Sequence, residues 1–378
     1  MSYLLVDKPW QPAVPEAPAS NHLPKLNSDN HIAYLDGLRG VAIMAVLMVH
    51  SSQGMGLDTP LRNFTFYGVR GVQLFFIVSG MTLMQAHIGR PLHLTNFAAR
   101  RFFRIAPMFY LGAALYLGVG AWTNIASGTR DASPLDILAT FLFVHGWLPS
   151  AINKVVPGGW SIAAEAMLYV LFPAILAMGR HPRRLTAFVV ASYVIAGATN
   201  LLLIRLLPPT PNNRGFAMAF WLCQLPAFAG GCLLAVVGNR IRVGRSTALI
   251  AMSGSVIALI VDSQLRGHSN LLVAILLLTI FVWSVANTRP QILQSGFLPF
   301  LGRISFSVYI LHFLILGAVN YVWKLIPLPM LPEASFVIIY TATLALVAVA
   351  ATLTFRFIEQ PFVKFGRKFG RRPVLGAT

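Results

Sequence analysis

Eleven apolar stretches punctuate this chain, near 33–54, 67–87, 105–122, 135–149, 161–179, 185–207, 216–238, 247–262, 271–287, 304–323 and 333–356. A helix needs about 20 residues to cross a hydrocarbon core of roughly 30 Å. Lipid offers no hydrogen-bond partners, so a spanning backbone has to satisfy itself as a helix or a closed barrel. Stretches of this length and continuity call for helices, and the expected fold is an all-α, polytopic membrane protein. Composition agrees: charged residues are 11% of the 378, against about 25% in soluble domains, and the mean hydropathy is +0.69. Little is left over for a soluble domain.

The fourth stretch is the exception. It is short, holds Asp136 and His145, and runs into Pro149 and the breaker-rich Val156-Pro157-Gly158-Gly159. A segment of that kind is more often re-entrant or interfacial than spanning. The positive-inside rule gives the same answer. If 135–160 does not cross and the chain starts in the cytoplasm, the loops with Arg90/Arg100/Arg101/Arg104, Arg180/Arg183/Arg184, Arg240/Arg242/Arg245 and Arg289/Arg303 all fall inside. With the run from Arg356 to Arg372, Lys8, Lys25 and Arg39, these make up 21 of the 29 basic residues. We therefore expect ten transmembrane helices plus a re-entrant segment, with both termini cytoplasmic. Residues 1–30 read as a disordered cytoplasmic tail without a cleavable signal peptide, 31–362 as the membrane domain and 363–378 as a basic cytoplasmic tail. The net charge of +18 follows from this topology and needs no nucleic-acid partner. Cys223 and Cys232 lie on one apolar stretch, about 180° apart around a helix, and read as packing residues. No metal-ligand spacing is present.

Polar residues inside spans are costly and mark function by default. Arg39 and His50 enclose ten uncharged residues, GVAIMAVLMV. Eleven positions bring the two side chains to within about 20° of one helix face and separate them by about 16 Å in depth. That places His50 near mid-membrane. Glu165, just after the Gly-Gly break, reads as the only acid deep inside a predicted helix; it either caps or orients that helix start or serves the chemistry. Ser305, Tyr309 and His312 recur at i, i+4, i+7 on one face, so His312 is either a structural hydrogen-bonding group or catalytic. Ser79 lacks a nucleophile-elbow context and reads as a packing residue. Arg101 and Arg104 present neighbouring guanidinium groups. They suit phosphate through charge-assisted pairs, although topology alone also accounts for basic residues there.

These residues fall in pieces that resemble a known family. YLDGLRGVAIMAVLMVH (34–50), GVQLFFIVSG (71–80), RRFFRIAPMFY (100–110), GGWSIAAEAMLYVLFP (158–173), SFSVYILH (305–312) and FIEQPF (357–362) follow the order and spacing of the bacterial acyltransferase family 3 membrane proteins. That family acylates cell-surface glycans, Nod-factor oligosaccharides and some antibiotics. One departure is Gln73, where many relatives carry Asp. The periplasmic hydrolase-like domain fused to some relatives is not expected here.

The resemblance implies an inner-membrane O-acyltransferase that takes acetyl-CoA, or another acyl-CoA, as co-substrate with no bound cofactor. Its acceptor would be a glycan or lipid-linked oligosaccharide, and its surroundings would be membrane lipids and polysaccharide assembly machinery. It further implies His50 as general base and Arg39, Arg101 and Arg104 as the residues handling CoA phosphates. Glu165 would orient an imidazole or bind acceptor hydroxyls, with Trp160, Ser305, Tyr309 and His312 in acceptor-binding or supporting places. The role of His145 stays open. Two other classes also use buried His and Glu: a proton-coupled transporter, for which no inverted duplication is visible, and a non-catalytic component of a polysaccharide export complex.

Overall fold

The computed structural model describes residues 33–122, 131–238, 240–266, 270–326 and 330–369. The expected 1–30 tail, and residues 370–378 of the expected basic tail, lie outside the described residues. Fourteen α-helices follow one another in chain order: α1 (Ala33–Gly54), α2 (Pro60–Phe66), α3 (Gly71–His87), α4 (Leu94–Trp122), α5 (Pro134–Phe141), α6 (Trp160–Gly179), α7 (Pro182–Leu206), α8 (Pro211–Ala219), α9 (Trp221–Val237), α10 (Arg245–Arg266), α11 (Leu271–Thr288), α12 (Phe297–Leu325), α13 (Pro332–Thr354) and α14 (Gln360–Phe369). Among the described residues there is no strand. Ten helical spans are long and apolar enough to cross a membrane, and α5 is not among them. The protein is an all-α, multi-pass membrane protein.

The segment between α4 and α6 folds as the breakers dictate. Ser133 caps α5 reciprocally with Asp136, a capping box that satisfies two orphan donors. Burial raises the Asp136 carboxyl, but the Ser133 amide and hydroxyl, Ser150 and Lys154 outweigh it and hold it below the usual range. After a single 3₁₀ turn at His145–Trp147 the chain runs in turns to Gly158, whose φ of +77° is the left-handed conformation that favours glycine. His145 is buried, sets its Nε2 3.0 Å from the Gly159 carbonyl and stacks on Phe109. Burial pushes its pKa down, partly offset by the Gly159 bond. It staples the non-crossing segment to the start of α6, which answers the question its sequence context left open.

Two helix pairs at the centre position the site. The first span lies against the ninth: Gly302 of α12 meets the Asp36 backbone so closely that a Cβ there has no room. Small residues are what let helix backbones approach this way in lipid. Beside it, α3 packs on α9, where Gln73 Nε2 donates to Gln224 Oε1 (2.8 Å) and the Cys232 thiol to the Gly80 carbonyl (3.4 Å). Cys223 and Cys232 are both free and buried, as packing residues should be. At the chain's far end, a π-helical turn (Phe355–Glu359) joins α13 to α14. There Phe362 and Phe365 pack on Phe103 of α4. Residues 363–369, which the sequence places in the basic tail, are therefore part of a packed helix.

Candidate active site

A polar file crosses the bundle. Measured along each helix at 1.5 Å per residue, Arg39 lies about 9 Å from the start of α1, and Arg101 and Arg104 about 10 and 15 Å from the start of α4. Ser305, Tyr309 and His312 lie about 12, 18 and 22 Å from the start of α12, and His50 about 25 Å along α1. The guanidinium groups and Ser305 thus occupy one level, Tyr309 the next and the two imidazoles the last, while Glu165 shares the cavity of the first two. His50 stands a turn from the end of α1 and not at its middle, because the helix begins six residues before Arg39.

The first two levels share a cavity of about 110 Å³ lined by Arg39, Ser79, Arg101, Arg104, Glu165, Tyr169, Ser305 and Tyr309, among others. The three arginines differ in their partners. Arg39 donates to Asp36 Oδ1 (3.0 Å) and to Thr82 Oγ1 (3.0 Å). Arg104 is paired with Glu359, whose other oxygen accepts from Ser307 Oγ (2.8 Å). Arg101 makes no ion pair among the described residues. Its guanidinium carbon sits 5.9 Å and 5.5 Å from the Phe97 and Tyr169 ring centres, and its buried Nε has no partner. Of the three cations, Arg101 is the one with charge to offer a ligand. Together with Ile105 and Tyr169 it also borders an apolar cavity of about 390 Å³ between α4 and α6.

Glu165 does not cap α6. It sits in the second turn, where Oε1 accepts from Tyr169 (2.5 Å) and Ser79 (3.1 Å), so Ser79 is a ligand of this carboxylate. Glu165 is only half-buried; more deeply buried are Glu359, 1% exposed, and Asp36, 3% exposed. Both are affordable inside a helical bundle because each neutralises an arginine. Glu359 lies in FIEQPF, so its motif was visible in the sequence; its partner, 255 residues away, was not.

At the third level His50 and His312 face each other with ring centres 5.3 Å apart, and Phe313 packs on both. His50 Nδ1 lies 3.1 Å from Gln53 Oε1, and His312 Nδ1 lies 2.5 Å from the Tyr309 carbonyl. A backbone carbonyl only accepts, so His312 Nδ1 carries the proton and its Nε2 keeps the lone pair. The exposed Gln53 amide can turn either end to His50. His312 Nε2 is buried with no partner. Sequence reasoning missed the Gln53 contact. Tyr309 links the levels, its hydroxyl accepting from Ser161 (2.8 Å) and donating to the Gly158 carbonyl (2.9 Å). The structure thus places Arg39, Arg101, Arg104, Glu165, Ser305 and Tyr309 around one cavity and His312 with His50 just beyond it. Trp160 stands behind the cavity wall, with its ring 6.3 Å from Phe76.

A family model described as an acyltransferase domain matches residues 32–354. The chain belongs to acyltransferase family 3. Among its relatives are the peptidoglycan O-acetyltransferase OatA of Listeria monocytogenes, 24% identical over 90% of this chain and 57% of the relative, and the O-acetyltransferase OatA of Staphylococcus aureus, 25% identical over 92% and 59%. The acyltransferase MdmB of Streptomyces mycarofaciens is 27% identical over 91% of this chain and 94% of the relative. The chain therefore spans somewhat under three fifths of the two OatA proteins and nearly all of MdmB. No solved structure matches it. The family match begins one residue before α1 and ends at the last residue of α13, so this acyltransferase carries the whole three-level file except Glu359 inside the matched region.

Proposed function

We propose that this acyltransferase moves an acetyl group from acetyl-CoA on the cytoplasmic side to a hydroxyl of a cell-surface or secreted glycan. The observation that carries the reading is the file itself. An arginine without an ion pair among the described residues, a small polar cavity and a pair of facing imidazoles succeed one another across one bundle, which is the order in which a phosphate-bearing thioester and a hydroxyl would have to meet. Both termini are cytoplasmic in this reading, the membrane is the bacterial inner membrane, and the level of Arg39 and Arg101 faces the cytoplasm. Cysteines placed at the exposed positions 131 and 183 of a chain without Cys223 and Cys232 check that orientation. An impermeant thiol reagent on intact cells should label position 131 and spare 183.

Arg101 would hold a CoA phosphate at the mouth. The cavity has room for a thioester end and not for a nucleotide, so the ADP part stays outside while the pantetheine arm enters. His50 Nε2 takes the proton of the attacking hydroxyl. The oxygen adds to the thioester carbonyl, the tetrahedral intermediate collapses with cleavage of the C–S bond, and the sulfur leaves with that proton as the free thiol. A neutral imidazole suits this work because it can take the proton of the hydroxyl and pass it on to the departing sulfur. Glu165 and Tyr169 orient polar groups of the reactants in the cavity. Purified protein given acetyl-CoA and a glycan acceptor should release free thiol in step with acetylated product. Solute flux without thiol release would favour the transporter reading instead.

The arginine level makes a finer test. Arg101→Ala should raise the KM for acetyl-CoA about tenfold or more and the acceptor KM far less, and Lys should rescue poorly because it lacks the planar fork. Equal losses with CoA and dephospho-CoA thioesters would show that Arg101 does not read the 3′-phosphate.

A further inference from the structure

Resting on the reading of this chain as a glycan acyltransferase, we infer that a second polar cavity, built around Gln73 and Trp160, is the site that seats a pyranose ring of the acceptor. The cavity has a volume of about 780 Å³ and lies where α3 and α6 begin, beside the non-crossing segment and α8. That size is within the roughly 300–1,000 Å³ of small-ligand sites. Its polar lining includes Arg70, Gln73, Asn153, Lys154, Trp160 and Asn212, with Ser150 and Gln224. These are amides, a hydroxyl, an aromatic face and two cations, with no carboxylate among the lining residues, so it is not built for a metal ion or an organic cation.

The decisive group is Gln73. It is 3% exposed, and its amide orientation is imposed by its neighbours. Gln224 Nε2 donates to the Met218 carbonyl at 2.6 Å, which leaves Gln224 Oε1 to accept from Gln73 Nε2 at 2.8 Å. The relay ends on a backbone carbonyl that can only accept, so it cannot run in reverse. Gln73 Oε1 is therefore left as a fixed acceptor with no partner. A buried acceptor without a partner is costly; the atom is covered in the empty cavity, and a sugar hydroxyl or acetamido N–H that moves the covering side chains aside supplies the missing donor. Being an amide, Gln73 binds that donor without removing its proton, so it is a positioning residue.

Trp160 ties this cavity to the reaction. Its neighbour Ser161 lines the small cavity while Trp160 lines the large one, and the partition between the two is a pair of rings where Trp160 meets Phe76. A ring seated on the Trp160 side has one of its hydroxyls next to that partition, on the opposite side from Arg101.

Calorimetric titration of the purified full chain in detergent tests the site without depending on turnover. The probes are an N-acetylglucosamine tetrasaccharide and a glucose tetrasaccharide. Wild type should bind at least one, and Gln73→Leu and Trp160→Leu should each weaken binding about tenfold or more. Asn212→Ala, at an exposed position, should weaken it less and guards against misfolding of the buried variants. Unchanged binding in all three variants, or no binding of either probe by wild type, overturns the inference. If acetyl transfer to a glycan is observed and its acceptor KM is the same in all three variants, the site is wrong and the proposed function stands.

Discussion

His50→Ala should abolish acetyl transfer while the protein still inserts and accumulates normally. A general base contributes about 10²–10⁴-fold, and Gln53 sits against His50 Nδ1, which leaves Nε2 as the nitrogen to meet a substrate. His50 is half-buried in a tilted ring contact with Phe313, so its removal costs little packing. Residual activity above about a tenth of wild type would remove it from the role. His312 lies one ring away, and His312→Ala discriminates between a shared and a single base. If the pair works as a unit, the double variant is no slower than the worse single variant; if the two act independently, the losses multiply.

Glu359→Ala is the most destabilising single change expected in this chain. It strips the carboxylate from a buried ion pair and leaves the Arg104 guanidinium and Ser307 hydroxyl without their acceptor. Breaking a buried pair from one side typically costs about 3–5 kcal/mol, whereas replacing both partners by apolar groups is often close to neutral. Thermal melts in detergent should therefore show a large drop for Glu359→Ala and recovery of most of it in Arg104→Leu/Glu359→Leu. A wild-type melting temperature for Glu359→Ala would mean that the pair carries no such weight. The recovered double variant also separates stability from chemistry: if Arg104 serves only to anchor Glu359, activity returns with the fold.

What the sequence made legible was whatever repeats or interrupts locally. Hydropathy marks the ten spans, and Pro149 and Gly158-Gly159 mark the stretch that does not cross. The i, i+4, i+7 spacing marks the Ser305–Tyr309–His312 stripe. What remained illegible were the pairings between distant segments. Glu359 and Arg104, Gln73 and Gln224, and His50 and His312 each sit in a stretch whose own pattern says only that a polar group is present. Spacing also fixes the interval between Arg39 and His50 but not where their helix starts, and the structure puts His50 one turn from the end of α1. Glu165 follows a break, which left a cap and a chemical role both open, and only the position of Ser79 and Tyr169 shows that it works sideways across the bundle.

The contact between the first and ninth spans has a consequence for how the protein is made. α1 carries Arg39 and His50 and enters the membrane first. Yet the surface that receives it on α12, pinned where Gly302 meets Asp36, is synthesised more than two hundred residues later. Arg104 waits about as long, since Glu359 follows it by 255 residues, about 13–50 s at roughly 5–20 residues per second. During that interval the nascent chain holds the Arg104 cation in the membrane without its counter-charge, whereas Arg39 already has Asp36 on its own helix. The earliest spans are therefore the natural clients of an insertase or chaperone, and ribosomes stalled before codon 359 should leave Arg104 open to labelling that the finished protein excludes.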